Sequence, residues 1–361
     1  MSRDIKDNLQ KAAVYVSAGF TVIILLVIIG FIVIKGMPGI NLHFLTSSYD
    51  DKTTYVTVES RAEMSKIVEG DVAELGITLQ ANEKGELAIT KMEKNSPLKN
   101  GRNSKEEKYP AKKGDLITKA EKLDGSTLRL KIVRPGGGIV PMTVTTIYMI
   151  LLSLLVAAPV SIMAAIYLIE YAKPGKLMTV IHFAIENLAG IPSIIYGLFG
   201  SLFFVKVCGF QYSILSGALT LAIILLPTLI TTTEEALKAI PKTYRESSLG
   251  LGATKLQTIS RVILPNALPG ILVAVLLSIG RIVGESAALL LTAGTVAQIP
   301  KALFGNSASG ATLTIKAYTL MKEENDLTTA CAIGIILLVI IIVLNFASKM
   351  VTKKLLNKKG A

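Results

Sequence analysis

Two ionisable residues stand inside an apolar stretch of this chain and are the first candidates for chemistry. Arg281 and Glu285 interrupt residues 276–286, where every other side chain is aliphatic, hydroxylated or absent. A charge inside a membrane span is unfavourable unless it is paired or faces an aqueous path. A spacing of four places both residues on one helix face, where they can pair. Either the pair joins helices, or Arg281 holds an oxyanion through two hydrogen bonds while Glu285 orients it.

A second candidate site is an interruption within residues 186–200. Gly190 and Pro192 break an apolar run that is otherwise long enough to cross a membrane. A broken span is tolerated where the freed backbone lines a cavity or is buried in protein. Amide groups near Ser193 could then donate hydrogen bonds to an anion, as amides do at a helix N-terminus. A simple proline kink is the alternative.

The third candidate is a polar, basic loop between two apolar stretches. A glutamate is followed by two small residues, by a glycine six positions after it, and by Leu-Pro beginning twelve positions after that glycine. This spacing is not typical of an ordinary loop and indicates attachment to another protein. A basic loop that contacts lipid headgroups is the alternative. The defined positions are Glu246, Ser247, Ser248, Gly252, Leu264 and Pro265.

The same loop carries the signals of a helix–turn–helix. Residues 243–246 and 254–257 each fit a capping box, in which two side chains satisfy the first free amides of a helix. Two glycines between the boxes permit the positive φ values that end one helix and turn the chain. Two prolines should stop the second helix before the next span. The residues expected to bound these helices are Gly250, Gly252, Pro265 and Pro269.

These candidates require membrane-spanning helices, and the composition supplies them. Hydrophobic residues make up 51% of the chain, and a run of about 20 apolar residues can cross a bilayer. Residues 14–34 are too long for the apolar region of a signal peptide, and residues 35–38 make a poor cleavage site, so we expect an uncleaved anchor. The expected spans are residues 14–35, 142–169, 180–206, 214–232, 270–294 and 329–348.

The distribution of positive charge predicts the sidedness of the spans. The net charge is +12, and basic residues cluster before the first span, after the second, in residues 233–268 and in the C-terminal tail. By the positive-inside rule these segments lie in the cytosol, together with both termini. We therefore expect a multi-pass protein of the cytoplasmic membrane that contacts lipid and has no nucleic-acid partner.

The expected fold is an all-α polytopic membrane protein with six transmembrane helices and a small, β-rich extracytoplasmic insert. Short stretches of the insert, residues 76–80, 86–90 and 127–131, alternate between turn signals as strands do. The expected parts are residues 1–47 (cytosolic N-terminus and first anchor), 48–138 (insert), 139–350 (five-helix core with the cytosolic loop 234–268) and 351–361 (basic cytosolic tail).

Neither a catalytic nor a metal site is expected. Cys208 and Cys331 do not form a metal motif or a disulfide framework, although both lie near outer span ends and a bridge is conceivable. His43 and His182 are isolated. The chain has no Gly-x-x-x-x-Gly-Lys-Ser/Thr phosphate loop, so it cannot hydrolyse ATP by that route. We therefore expect no cofactor.

Three segments of the insert resemble PDZ modules. They are residues 75–78 (Leu-Gly-Ile-Thr), 96–101 (Ser-Pro-Leu-Lys-Asn-Gly) and 112–117 (Lys-Lys-Gly-Asp-Leu-Ile). In that family the Leu-Gly-Ile turn offers backbone amides to a peptide carboxylate, and the peptide adds a strand to the sheet. The resemblance implies a PDZ-like fold with a peptide ligand. The alternative is a small β-rich spacer without a ligand.

The polar loop resembles the EAA loop of ABC-importer permeases, whose pattern is Glu-Ala-Ala, three residues, Gly, nine residues, Ile, one residue and Leu-Pro. Here Ser247 and Ser248 replace the alanines and Val262 replaces the isoleucine, which keeps small and β-branched character. The resemblance implies a transporter subunit rather than an enzyme, driven by a separate ATPase, with a coupling helix that docks in a groove of that cytosolic ATPase subunit. It assigns ATPase coupling to Glu246, Ser247, Ser248, Gly252, Leu264 and Pro265.

Four further segments resemble the permeases of phosphate-specific importers, the PstA family. They are residues 137–139 (Gly-Gly-Ile), 167–172 (Tyr-Leu-Ile-Glu-Tyr-Ala), 187–197 (Asn-Leu-Ala-Gly-Ile-Pro-Ser-Ile-Ile-Tyr-Gly) and 281–287 (Arg-Ile-Val-Gly-Glu-Ser-Ala). The resemblance covers residues 136–350 well, whereas the insert departs from the short loop usual in that family.

This resemblance implies an ATP-driven importer of inorganic phosphate with three further components: a second homologous permease of the PstC type, a cytosolic ATPase dimer and an extracytoplasmic phosphate-binding protein. The candidates for the substrate path are Arg281, Glu285 and Ser193, with a structural helix break at Gly190 and Pro192. The nearer alternative is an ABC permease for another oxyanion, sulfate or molybdate. The alternative from a different class is a membrane-anchored PDZ adaptor.

Overall fold

The computed structural model describes residues 3–49, 52–60, 68–81, 87–93, 95–103, 107–124, 127–134, 136–305 and 307–357. The chain divides into two compact units. The helical unit comprises Met1–Leu42 and Pro141–Ala361, and the insert unit comprises His43–Val140.

Long apolar helices dominate the helical unit. Three π-helical turns, Tyr167–Tyr171, Ser201–Val207 and Ile259–Ile263, continue or join its helices. The helices of the described residues are α1 (Arg3–Gly36), α2 (Leu42–Thr46), α3 (Val140–Ile166), α4 (Lys176–Ala189), α5 (Ser193–Gly200), α6 (Ile214–Lys238), α7 (Lys242–Gly250), α8 (Lys255–Thr258), α9 (Leu264–Gly284), α10 (Ala287–Leu290), α11 (Leu313–Lys322) and α12 (Leu327–Asn357).

Five helices of the described residues are long and apolar enough to cross a membrane, and a sixth crossing is possible if one bent pair counts as a single span. The bent pair is α4 with α5 and its π turn, which meet at 97°. The unbroken candidates are Lys11–Gly39, Val140–Tyr171, Ile214–Lys238, Lys255–Gly284 and Leu327–Ala347. The expected polytopic helical fold is therefore confirmed, with five or six apolar helices.

The fifth span differs from the prediction at both ends. It was expected over residues 270–294, but the helix runs over Lys255–Gly284. The stop expected at Pro265 and Pro269 is wrong, because both prolines lie inside this span. Pro265 lies in the first turn of α9, directly after a π turn, and a residue without an N–H is tolerated at the start of a helix.

α6 is the centre of the helical unit. Of its apolar window 67% is buried, whereas none of the α1 window is. α9 crosses α6 closely at Gly270, where a Cβ would lie 2.5 Å from the Cβ of Ala236. Small residues permit such close crossings between membrane helices. The buried core at this end of the unit joins α3, α4, α6 and α9 and comprises Ala165, Leu168, Ile185, Ile230, Leu237, Ile240, Ile263, Ala267 and Ile271.

The insert unit is an antiparallel sheet of seven strands in the order β2-β3-β4-β6-β7-β1-β5. Its core is built from alternate residues, as in β7, where Leu128, Leu130 and Ile132 are fully buried. The strands are β1 (Lys52–Glu59), β2 (Gly70–Val72), β3 (Ile77–Ala81), β4 (Leu87–Met92), β5 (Arg102–Asn103), β6 (Leu116–Asp124) and β7 (Thr127–Arg134). The expectation of a β-rich insert is confirmed, since the three predicted strands correspond to β3, β4 and β7.

The turn that resembles a PDZ carboxylate-binding turn has its amides occupied. The amides of Leu75 and Gly76 donate to the carbonyls of Val72 and Ala73, each over 3.1 Å. β3 pairs with β2 on one side and with β4 on the other, so it is not an edge strand. A peptide strand cannot add to β3 unless β2 leaves. The PDZ-like fold and its ligand stay predictions.

Candidate functional site

The Arg281–Glu285 ion pair expected from the spacing is wrong. α9 ends at Gly284, and Glu285 has an extended backbone (φ −80°, ψ 125°), so the two side chains do not share a helix face. Arg281 instead donates from Nη1 to the hydroxyl of Thr228 on α6, over 3.1 Å. The Glu285 carboxylate accepts from the amide of Ala288, over 3.2 Å. Arg281 therefore joins α9 to α6, and Glu285 caps the start of α10.

The break between α4 and α5 lies at residues 190–192, as the helix bounds show. Pro192 precedes the first residue of α5, Ser193, which is half-buried. The hydroxyl of Tyr196 donates to the carbonyl of Leu188 over 2.7 Å. This bond closes the break, because it links the first turn of α5 to the last turn of α4.

The broken span and the Arg281 region are neighbours. α5, which carries Tyr196, and α9, which carries Arg281, both pack against α6. α5 packs closely on α10 at Gly197, where a Cβ would lie 2.7 Å from the Cα of Ala288. Among the described contacts Ser193 makes no hydrogen bond to Arg281. The break between α4 and α5 and the Arg281–Thr228 bond therefore lie on helices that all contact α6.

The polar loop forms two short helices around a tight turn. Gly252 has a φ of +84°, as the turn requires. The capping box at the start of α8 is confirmed: the Thr254 hydroxyl accepts from the Gln257 amide over 3.3 Å, and the Gln257 side chain accepts from the Thr254 amide over 2.9 Å. Two details are wrong: α7 begins directly after Pro241, so the box at residues 243–246 lies inside the helix, and Gly250 is still helical.

α7 presents a small apolar surface beside a groove. Glu246 and Ser247 are exposed, whereas the Ser248 hydroxyl hydrogen-bonds to that of Thr258 over 2.9 Å. Leu251 is 89% exposed. Exposed apolar surface of this kind beside polar residues is typical of a protein-binding site. The groove has a volume of about 420 Å³ and is lined by Thr243, Tyr244, Ser247, Ser248, Leu251 and Val262.

Arg245 is a functional candidate that was not predicted from the sequence. Its Nε and Nη2 donate to Oε1 of Glu170 over 2.9 and 2.8 Å. Its Nη1 and Nη2 also donate to the carbonyls of Ile240 and Leu237, each over 3.0 Å. One guanidinium thus connects the π turn after α3, the end of α6 and α7. The available signal was Glu170, an ionisable residue at the end of an apolar run.

His182 is not isolated, contrary to expectation. Its Nδ1 lies 3.8 Å from Oε2 of Glu234, a carboxylate that is 4% exposed. Lys238 lies 3.1 Å from the same oxygen, one turn along α6. This cluster connects α4 to α6. Cys208 is exposed and Cys331 buried, and both are free thiols. Within the described ranges, His, Cys, Asp and Glu side chains form no group of three that could hold a metal ion.

The apolar helices, the broken span and the exposed helix–turn–helix define a multi-pass membrane permease. The chain belongs to the family described as "Binding-protein-dependent transport system inner membrane component", which matches residues 157–357. The predicted membership of the importer permeases is therefore confirmed.

Several relatives are similar to this chain over part of its length. "Probable ABC transporter permease protein YqgI" of Bacillus subtilis (strain 168) is 37% identical over 168 residues, which are 46% of this chain and 57% of that protein. "Phosphate transport system permease protein PstA 1" of Mycobacterium tuberculosis (strain CDC 1551 / Oshkosh) is 32% identical over 216 residues, or 60% of this chain and 71% of that protein. "Phosphate transport system permease protein PstA" of Xylella fastidiosa (strain Temecula1) is 38% identical over 157 residues, or 44% and 55%.

Proposed function

We propose that this chain is a permease subunit of an ATP-driven importer that carries inorganic phosphate across the cytoplasmic membrane. The observation that carries the proposal is the 32% identity, over 71% of its length, to a protein named as a phosphate transport permease. The sequence has no Gly-x-x-x-x-Gly-Lys-Ser/Thr phosphate loop, so ATP is hydrolysed by another subunit. This chain converts work done by a separate ATPase subunit into movement of its helices.

The ATPase docks on α7 and its groove. Glu246 and Ser247 provide exposed polar contacts, and Leu251 provides apolar area beside them. Ser248 fixes α7 against Thr258, and Gly252 makes the turn that brings α8 back along α7. Leu264 and Pro265 begin α9 and connect the docking surface to the fifth span without an intervening loop. A displacement of this surface is therefore passed directly to α9.

Phosphate passes beside Arg281. A guanidinium carries five N–H donors in a planar fork that matches an oxyanion, and Thr228 accepts from only one of the two terminal nitrogens. Thr228 holds the fork in place. Glu285 acts indirectly, by starting α10, on which the broken span packs. Gly190 and Pro192 keep the span broken, and Ser193 at the start of α5 offers a hydroxyl and an amide to the path.

The assembly follows from this role. A homologous permease of the PstC type completes the pore, an ATPase dimer binds α7, and an extracytoplasmic binding protein delivers phosphate. The basic loop that contains α7 and both termini lie in the cytosol, as the positive-inside rule predicts. The insert unit then lies outside, as a PDZ-like or simple β-rich domain that faces the binding protein.

The test is phosphate uptake in phosphate-starved cells. Cells that lack this chain should lose high-affinity uptake of labelled phosphate, and the gene on a plasmid should restore it. An excess of unlabelled sulfate or molybdate should not compete. Unchanged uptake in the deletion strain would contradict the proposal. Competition by sulfate or molybdate would favour the permease for another oxyanion instead.

A further inference from the structure

We infer that Glu170 and Arg245 form the joint through which α7 moves α3. The inference rests on the proposed function, because that function assigns α7 to the ATPase. Arg245 stands next to Glu246 but faces away from the docking surface, with 20% of its side chain exposed. Glu170 lies in the π turn at the end of α3 and has 9% of its side chain exposed. Both are positioning residues, since neither reaches the substrate path.

The contacts of Arg245 make this joint stiff. Two nitrogens of the guanidinium converge on one carboxylate oxygen of Glu170, and charge-assisted bonds of this kind are stronger than neutral ones. Two further bonds from Nη1 and Nη2 reach the carbonyls of Ile240 and Leu237, at and just beyond the C-terminal end of α6. A single side chain therefore holds α7 to two spans. The chain itself connects α6 to α7 through residues 239–241, and Arg245 adds a side-chain connection to that short link.

The end of α3 touches the second loop helix as well. The ammonium group of Lys255, the first residue of α8, lies 4.8 Å from the centre of the Tyr171 ring. Tyr171 follows Glu170 directly. A π turn changes the direction of side chains relative to a regular helix, and it is often found at functional positions. Here it directs Glu170 to α7 and Tyr171 to α8, so both helices of the polar loop contact the end of α3.

α3 carries the movement to the opposite side of the unit. Near its other end, the hydroxyl of Thr146 accepts from the amide of Leu313, the first residue of α11, over 3.1 Å. Thr146 and Glu170 are about 36 Å apart along a helix at about 1.5 Å per residue, which exceeds the thickness of a bilayer core. A displacement of Glu170 is thus transmitted to α11 at the other side of the membrane. This gives the importer a second route to its outer side, separate from the direct connection through α9.

The test compares the number of ATP molecules hydrolysed per phosphate transported between the wild type and variants of Glu170 and Arg245. The full importer complex is purified with its ATPase and second permease, placed in proteoliposomes with its binding protein, and assayed for ATP hydrolysis and for uptake of labelled phosphate. Arg245→Lys keeps the charge but loses the fork, and Glu170→Gln removes the charge but keeps an acceptor oxygen. Arg261→Lys is the matched control, because Arg261 is an exposed arginine of the same loop region.

Arg245→Lys and Glu170→Gln should each raise the number of ATP molecules hydrolysed per phosphate by roughly fivefold or more. The double variant should be no worse than either single variant, since both remove the same joint. Arg261→Lys should match the wild type. If hydrolysis and uptake fall together in proportion to assembled complex, the bond only stabilises the fold and the inference is wrong. An unchanged number of ATP molecules per phosphate would also contradict the inference.

A readout that does not depend on phosphate separates this inference from the proposed function. A fluorophore is attached at Tyr148→Cys, an exposed position of α3, in a Cys208→Ser background. ATP should change its emission in the otherwise unmodified complex, and Arg245→Lys should abolish that change. A complex that moves α3 but takes up no phosphate would contradict the proposed function alone. Persistence of the change in Arg245→Lys would contradict the joint alone.

Discussion

The guanidinium of Arg281 donates to Thr228, 53 residues away, and not to Glu285 four residues away. Because Thr228 is neutral, Arg281 keeps its full positive charge available to an anion. A carboxylate partner would compete with phosphate for the same donors. The separation of Arg281 from Glu285 therefore favours the substrate-binding role over that of a structural ion pair.

Arg281→Lys should lower phosphate uptake much more than Glu285→Gln. The lysine cannot reproduce the planar fork, and the loss of a charge-assisted hydrogen bond, about 1.5–3 kcal/mol, corresponds to roughly 10- to 150-fold in kcat/KM. Glu285→Gln keeps an oxygen that can accept from Ala288, so uptake should fall less than about threefold. The measurement is initial uptake rate at equal expression. Equal losses in both variants would restore the ion-pair model.

Tyr196→Phe should loosen the break between α4 and α5. The variant removes the donor of the 2.7 Å bond to Leu188, whose carbonyl still accepts from the Ile191 amide, at a cost of about 0.5–1.5 kcal/mol. We expect a lower melting temperature for the purified protein in detergent and a lower uptake rate at saturating phosphate. Tyr148→Phe is the control, because Tyr148 is exposed on α3. A melting temperature like that of the control would show that the bond does not hold the break.

Local signals in the sequence are sufficient to find the apolar spans, although not the ends of the fifth, and to find the broken segment and the capping box of α8. Each of these depends on residues a few positions apart: an apolar run, Gly190 with Pro192, or Thr254 with Gln257. The same is true of the strands β3, β4 and β7, where alternation marks the buried face.

Contacts between distant residues could not be predicted in this way. Glu170 and Arg245 are 75 residues apart, and nothing in either segment specifies the other. The errors have a related cause, since in each case the surrounding structure overrode a prediction made from nearby residues. Pro265 was expected to end a helix, but it lies in the first turn of α9. Glu285 was placed on the face of Arg281, but the helix ends one residue earlier.

Glu246→Lys should weaken the attachment of the ATPase. Glu246 is exposed on α7 beside the groove, so the change reverses a charge at the proposed interface without disturbing a buried contact. We expect roughly tenfold weaker binding, seen as less ATPase co-purifying with the chain. Glu323→Lys makes the same substitution at an exposed position after α11 and should leave co-purification unchanged. Equal amounts of ATPase with both variants would remove α7 from the docking surface.

Gly250→Ala and Gly252→Ala should have opposite effects, although the residues are two positions apart and a Cβ at either would meet no atom within 4 Å. Gly252 has a φ of +84°, and an alanine there is strained by about 1–2 kcal/mol. Gly250 is helical, and alanine should stabilise the helix by about 0.5–1 kcal/mol. Gly252→Ala should therefore lower the melting temperature and the co-purification of the ATPase, because α8 no longer returns along α7. Gly250→Ala should raise the melting temperature slightly and leave the co-purification unchanged. If Gly250→Ala is the more harmful variant, the turn begins two residues earlier than the structure places it.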